Sequence, residues 1–367
     1  MLKVVCVCGA RPNFMKVAPI VEALSRDGSD ARTRLVHTGQ HYDERMSRLF
    51  FDELRIPKPD VNLEVGSGSH AVQTADVMKR FEPICLAEKP DWVVVVGDVN
   101  STLACALVAT KLGIKVAHVE AGLRSFDRTM PEEINRLLTD AISDRLYVSE
   151  PSGIENLRRE GIPDAKVRHV GNVMIDTLLR CRARAEESDI HDRLTLSRKQ
   201  YALVTLHRPS NVDDPAVFSS ILAALEVIAG DMPVVFPIHP RSQRNLQAMG
   251  LDPRVRAATN LKLIEPLGYL DFLKLTADAA VVLTDSGGIQ EETTILNVPC
   301  LTLRHNTERP ITVSQGTNRL AGNSTEGILV EYRAVRKATP RRVDPPHLWD
   351  GRAAERIVAD LVGPGGM

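Results

Sequence analysis

Rings are scarce in this sequence: aromatic residues make up 4% of 367 positions, and only two of them are tryptophan. A surface that stacks nucleic-acid bases needs aromatic platforms and excess positive charge. Here 46 Lys+Arg stand against 47 Asp+Glu, a net charge of −1, so nucleic acid and anionic membrane are both excluded as main partners. No apolar run approaches the ~20 residues that a membrane-spanning helix requires. The N-terminus passes from Met1 into a short apolar run that ends in Gly9-Ala-Arg-Pro12, a first strand rather than a signal peptide. Six cysteines are scattered, with no CxxC pair and no Cys/His spacing suited to a metal. They read as reduced, buried small hydrophobes of a cytoplasmic protein. Internal repeats are absent too, and the one biased tract, Pro/Arg-rich Ala338–Pro346, reads as an extended connector.

What is present is ordinary globular composition, 43% hydrophobic and 25% charged, in a chain long enough for two domains of ~100–200 residues each. Short Val-rich runs alternate with longer stretches of helical spacing, which predicts parallel sheets covered by helices on both faces. The first set of strands is Lys3–Cys8, Arg34–His37, Trp92–Val96, Lys115–Val119, Arg145–Val148 and Val167–Val170. The second is Ala202–Leu206, Pro233–Ile238, Leu261–Leu263, Ala280–Thr284, Cys300–Leu303 and Gly327–Val330. The expected architecture is therefore α/β, with two doubly wound, Rossmann-like domains facing each other across a cleft. Residues 1–171 form the first domain and 172–345 the second, and 346–367 carry a final helix that can pack back on the first.

Polar clusters follow directly after the predicted strands, where open α/β sheets bind ligands. Arg11 and Lys16 follow the first strand, beside a turn that can open an anion-binding helix N-terminus. Asp98 ends the third strand and Glu120 the fourth, while Glu132 opens the helix after Pro131. Each of these acids alone fits a helix cap or a dipole partner. Three together in one domain point to chemistry, because clustered acids are costly unless used or paired. In the second half, His207 and His239 sit on adjacent strand-end turns. Leu283-Thr-Asp-Ser286-Gly287-Gly288-Ile-Gln-Glu-Glu292 runs a strand into a glycine pair and a helix. Small residues there let a phosphate approach free backbone amides, and Glu292 is placed for ribose hydroxyls.

These residues resemble the UDP-N-acetylglucosamine 2-epimerases, mainly the non-hydrolysing bacterial type. The motifs are GARPNFMK, TGQHYD, GDVNSTLA, HVEAGLRS, MPEEINR, GNVMIDTL, HRPSN, HPR, LTDSGGIQEE and TERPITVSQGTNRL, spread over nearly the whole chain. The resemblance implies the two-domain fold of GT-B glycosyltransferases, no cofactor, no metal and a homodimer. It implies reversible interconversion of UDP-GlcNAc and UDP-ManNAc, supplying cell-surface polysaccharide precursors. By position, Asp98, Glu120, Glu132 and His207 match the family's catalytic groups. Arg11, Lys16, Ser286, Gly287, Gly288, Glu292 and Arg309 match its nucleotide contacts, and His239 joins them as part of the same lining.

Two departures from the family pattern stand out. His207-Arg-Pro-Ser-Asn211 replaces the His-Arg-Arg-Glu-Asn of many members, so one basic contact is missing. Thr38-Gly-Gln-His-Tyr-Asp43 lacks a second glutamine that some members use to bind an activating UDP-GlcNAc, which argues against substrate activation. Rival readings are a hydrolysing epimerase that releases ManNAc and UDP, a GT-B glycosyltransferase, a sugar-nucleotide sensor, and an epimerase of a 2,3-diacetamido uronic acid sugar nucleotide.

Overall fold

A computed structural model describes residues 1–9, 11–26, 30–39, 51–339 and 342–363, with Arg11 and Pro12 described by their backbone alone. The chain divides into two compact units, one of Met1–Arg180 with His347–Met367 and one of Cys181–Pro346. In the first, seven strands form a parallel sheet: β1 (Leu2–Cys8), β2 (Ala31–His37), β3 (Val61–Asn62), β4 (Trp92–Val96), β5 (Lys115–Val119), β6 (Arg145–Val148) and β7 (Val167–His169). Their spatial order, β3-β2-β1-β4-β5-β6-β7, reverses direction between β1 and β4. That reversal is the switch point at which doubly wound sheets open a crevice beyond their strand ends.

Aromatic poverty shows in how the sheet is packed. All five residues of β4 are buried, and one face of the sheet is sealed by Val5, Val7, Val93, Val95, Ala104 and Cys105, with Phe81 as the one large ring of that cluster among the described residues. All six cysteines are free and buried, and burial pushes the Cys6 thiol up to about 12. They serve as small packing groups.

In the second unit six parallel strands follow: β8 (Ala202–Thr205), β9 (Val234–Pro237), β10 (Leu261–Ile264), β11 (Val281–Thr284), β12 (Cys300–Thr302) and β13 (Asn318–Leu320), ordered β10-β9-β8-β11-β12-β13. The switch point here lies between β8 and β11. Side chains alternate along the strands. Ala202 and Val204 pack with Phe218, Ile221 and Leu225 on one face, while Tyr201 and Leu203 pack with Leu275 and Val298 on the other.

One predicted strand is wrong. Gly327–Val330 lies inside the helix Thr325–Lys337, and the sixth strand is Asn318–Leu320. Ser324 caps that helix by accepting the Gly327 N–H at 3.1 Å. Ile328, Leu329 and Tyr332 are buried while Val330 is exposed, which is helical spacing rather than the alternation of a strand. The chain returns to the first unit through the segment after Ala338. Trp349 Nε1–H donates to the Ser149 carbonyl at 2.9 Å. Asp176 accepts the Ala353 and Ala354 amides that open the helix Ala353–Val362. Among the described residues, no helix is long and apolar enough to cross a membrane, and no cluster of His, Cys, Asp or Glu is arranged to hold a metal ion.

Candidate functional site

In the first unit the polar residues gather at the ends of β1, β4 and β5. The helix Arg11–Leu24 begins just beyond β1 and carries Lys16, whose ammonium is ion-paired with the Glu120 carboxylate. Both side chains are buried. Gly97, at φ +69°, makes room for them: a Cβ there would lie 3.0 Å from Lys16 Nζ and 3.5 Å from Glu120 Oε2. Asp98 comes next and pairs with Arg136 Nη1 at 2.5 Å. Arg136 also holds Glu133 at 2.6 Å. Glu133 in turn accepts the Ser125 and Phe126 amides. Burial would raise the Glu133 carboxyl, but the Ser125 amide and Arg136 hold it below the usual range.

Glu120 itself has φ +70°, a left-handed conformation that a non-glycine residue adopts at a cost. Its turn is fixed from behind by Asp140, which accepts Gly122 N–H at 3.0 Å, Arg124 Nη2 at 2.6 Å and His118 Nδ1 at 2.7 Å.

The second unit builds a different environment. Asp285, fully buried after β11, accepts the His207 and Arg208 amides and lies 3.0 Å from His207 Nδ1. Burial would raise its carboxyl, and His207 with the two amides holds it low instead. The carboxylate thus orients the half-exposed imidazole through Nδ1. The helix Gly287–Leu296 starts here. A Cβ on Gly287 would meet Arg309 Nη1 at 2.3 Å, so the missing side chain lets the guanidinium lie against the helix start.

Arg309 Nε donates to Glu291 at 2.7 Å. Glu308 is gripped by Arg208 at 2.9 Å and Arg304 at 2.8 Å. Burial acts to raise the Glu308 carboxyl, but Arg208, Arg309 and Arg304 hold it far below the carboxylate range. Three guanidiniums, those of Arg208, Arg304 and Arg309, thus gather beside a helix N-terminus, donors of the kind that suit a phosphate. Deeper in that helix, burial pushes Glu292 up to about 7, against the lowering effect of the Tyr269 hydroxyl and with a further push from Glu291. Tyr269 donates to one Glu292 oxygen at 2.9 Å, and the other, Oε2, is buried without a hydrogen-bond partner among the described residues.

A family model described as UDP-N-acetylglucosamine 2-epimerase matches residues 22–362. The chain belongs to that family. A UDP-N-acetylglucosamine 2-epimerase of Methanocaldococcus jannaschii is 44% identical over 365 residues, 98% of this chain and 99% of its own. A UDP-2,3-diacetamido-2,3-dideoxy-D-glucuronate 2-epimerase of Pseudomonas aeruginosa is 40% identical over 364 residues, 98% of this chain and 99% of its own. The crystal structure of the M. jannaschii UDP-GlcNAc 2-epimerase in complex with UDP-GlcNAc and UDP matches with a TM-score of 0.92 at 43% identity, covering 98% of this chain and 99% of that one. With its two parallel sheets, the chain has the GT-B type of fold of these epimerases.

Against this frame the expected site residues fall into two groups. Lys16, Asp98, Glu120 and Glu132 lie on the first unit, and His207, His239, Ser286, Gly287, Gly288, Glu292 and Arg309 on the second. Lys16 is engaged with Glu120. Asp98 is no helix cap: the cap position of the helix Asn100–Lys111 is Val99. His239 caps the helix Pro240–Ala248, its Nδ1 accepting the Arg241 N–H at 3.2 Å. Ser286 takes the cap position of its helix without a capping bond from its side chain. The Arg11 side chain, Gln40 and His41 lie outside the described residues. Sequence reasoning passed over Arg136, Asp140, Tyr269 and Glu308. A signal for two of them was present: Glu133, Arg136 and Asp140 recur at i, i+3 and i+7, a buried polar stripe where a helix normally places its apolar face.

Proposed function

We propose that this epimerase interconverts UDP-GlcNAc and UDP-ManNAc without hydrolysis, in the service of cell-surface polysaccharide synthesis. The C2 hydrogen of the sugar is adjacent to no ketone, so a carboxylate cannot remove it directly. Departure of UDP makes C1 cation-like and C2–H acidic. Loss of that proton gives 2-acetamidoglucal and UDP, and re-addition with protonation on the opposite face inverts C2. The observation that carries this reading is the pair of strand-end carboxylates, Glu120 and Asp98, each held by a buried cation, Lys16 and Arg136. Two fixed acid–base groups suit a reaction that removes a proton from one face and returns it to the other.

In this reading Glu132 is a third acid near the sugar, and Arg11 adds a nucleotide contact. Arg208, Arg309 and the amides of Ser286–Gly288 stabilise the leaving diphosphate, with His207 supplying a proton there. The unpartnered oxygen of Glu292 accepts the ribose hydroxyls. No metal or cofactor takes part in the reading, and the enzyme works as a homodimer, which light scattering against the 40.4 kDa chain mass tests.

Incubation with UDP-GlcNAc in D₂O, followed by NMR, tests the chemistry: UDP-ManNAc should form with deuterium at C2. Stoichiometric free ManNAc would make the enzyme a hydrolase, and absence of C2 exchange would refute the reading. The 40% identity to the P. aeruginosa enzyme makes the 2,3-diacetamido uronic acid nucleotide the second substrate to include. Faster exchange of that compound would replace the GlcNAc assignment.

A further inference from the structure

His118 sits on β5 between Ala117 and Val119, with no exposed surface. Neither of the two roles proposed above, proton transfer and nucleotide binding, uses it. An imidazole buried in a strand needs a match for both ring nitrogens. Nε2 lies 2.8 Å from the Gly97 carbonyl oxygen and Nδ1 lies 2.7 Å from Asp140 Oδ1. A carbonyl can only accept, so Nε2 carries a hydrogen. Asp140 also only accepts, because its other oxygen already takes Arg124 Nη2 at 2.6 Å and Gly122 N–H at 3.0 Å. Burial acts to raise its carboxyl, and the Arg124 guanidinium holds it low. Nδ1 therefore carries a hydrogen as well, and the ring is an imidazolium whose two donors both point at fixed acceptors.

Those two bonds join the two turns that bear the strand-end acids. Gly97 donates its N–H to the Val119 carbonyl at 3.0 Å and receives His118 on its own carbonyl, so β5 grips the peptide ahead of Asp98 from both sides. Asp140 carries the connection to Gly122, two residues beyond Glu120, whose left-handed backbone needs such support. Charged groups around the link are Arg124 and Glu160 beyond Asp140, and Lys16 and Glu120 beyond Gly97.

We infer that His118 is a positioning residue: as a buried imidazolium it locks the Gly97–Asp98 turn to the Glu120–Gly122 turn and so sets the geometry of both carboxylates. The inference rests on the acid–base roles proposed for Asp98 and Glu120. Displacement of a reacting group by about 1 Å costs on the order of 100-fold in rate.

Two measurements test it. In ¹⁵N-histidine spectra of the wild-type enzyme near neutral pH, one fully buried ring should show protons on both nitrogens. Assignment of His118 to a neutral tautomer would overturn the inference. His118→Gln keeps one donor and loses the other, so kcat should fall roughly 100-fold while KM for UDP-GlcNAc and Kd for UDP stay within about twofold. Wild-type kcat would overturn it, and so would a parallel loss of UDP affinity, which marks a general fold defect. Should His118→Gln fail to fold, Asp140→Asn serves in its place. It keeps an acceptor for the ring but loses the acceptor for the Gly122 amide, and it carries the same kcat-only expectation. Failure of the functional reading is separable: wild-type enzyme would then show no C2 exchange in D₂O, whatever the ring spectrum reports.

Discussion

Replacing Gly287 by alanine sets two physical effects against each other. Alanine is the better helix former by up to about 1 kcal/mol, and Gly287 opens a helix, so propensity alone predicts a neutral or stabilised protein. Sterics predict a different outcome: the new Cβ would stand 2.3 Å from Arg309 Nη1 and 2.8 Å from Cζ. Those atoms are the end of a flexible side chain, so the fold survives and the guanidinium moves. It then leaves the helix start and its 2.7 Å bond to Glu291. In the proposed complex the displaced guanidinium also loses its hydrogen bond to the charged diphosphate, a contribution of about 1.5–3 kcal/mol, which corresponds to UDP binding weakened by about tenfold to 150-fold. Calorimetric titration with UDP should show that loss, while the unfolding temperature stays near wild type. An unchanged Kd would refute a role for Arg309 in holding the nucleotide, and a collapse of thermal stability would refute the steric argument.

Asp98→Asn and Glu120→Gln should each lower kcat by roughly 10²–10⁴ with UDP affinity retained, read by coupled assay and titration; near-normal turnover in both removes them from the mechanism. Glu292 is raised in the folded state to about 7 from an ordinary value of 4.5, so the folded protein binds that proton more tightly than the unfolded chain does. Its contribution is full below the unfolded value and is lost as pH rises through about 7. Denaturant titrations across that window should show stability falling with pH, less steeply in Glu292→Gln; identical slopes would contradict the assignment. Gly122 has φ +78°, and a Cβ there would meet the Gly153 carbonyl oxygen at 2.4 Å. Gly122→Ala should therefore cost at least about 1–2 kcal/mol, measurable as a lowered unfolding midpoint, and should slow turnover because Glu120 shares the turn.

Strands and site positions were legible wherever local chemistry and tertiary context agree. β4 and β5 are Val-rich runs ended by a turn, and they fall where the sequence predicts them. Gly327–Val330 misled because a short apolar run has no periodicity of its own; the deciding residues, Ser324 and Tyr332, lie outside it. The positions of Asp98 and Glu120 could be read from strand ends, but their partners could not. Arg136 is 38 residues from Asp98, and Lys16 is 104 residues from Glu120, and pairings at such separations come from the order of strands in the sheet. His239 has a local partner that the strand-end pattern did not show: its Nδ1 caps the next helix by accepting the Arg241 N–H.

The link from Trp349 to Ser149 and the cap that Asp176 gives to residues 353 and 354 have a consequence for synthesis on the ribosome. Residues 181–346 leave the exit tunnel before the stretch that completes the first unit. The usual N-to-C sequence of domain folding therefore cannot complete the first unit ahead of the second. The later-encoded unit is contiguous in the chain while the earlier one waits for its last helix, so a chain cut after residue 346 would carry a complete second unit attached to an incomplete first one.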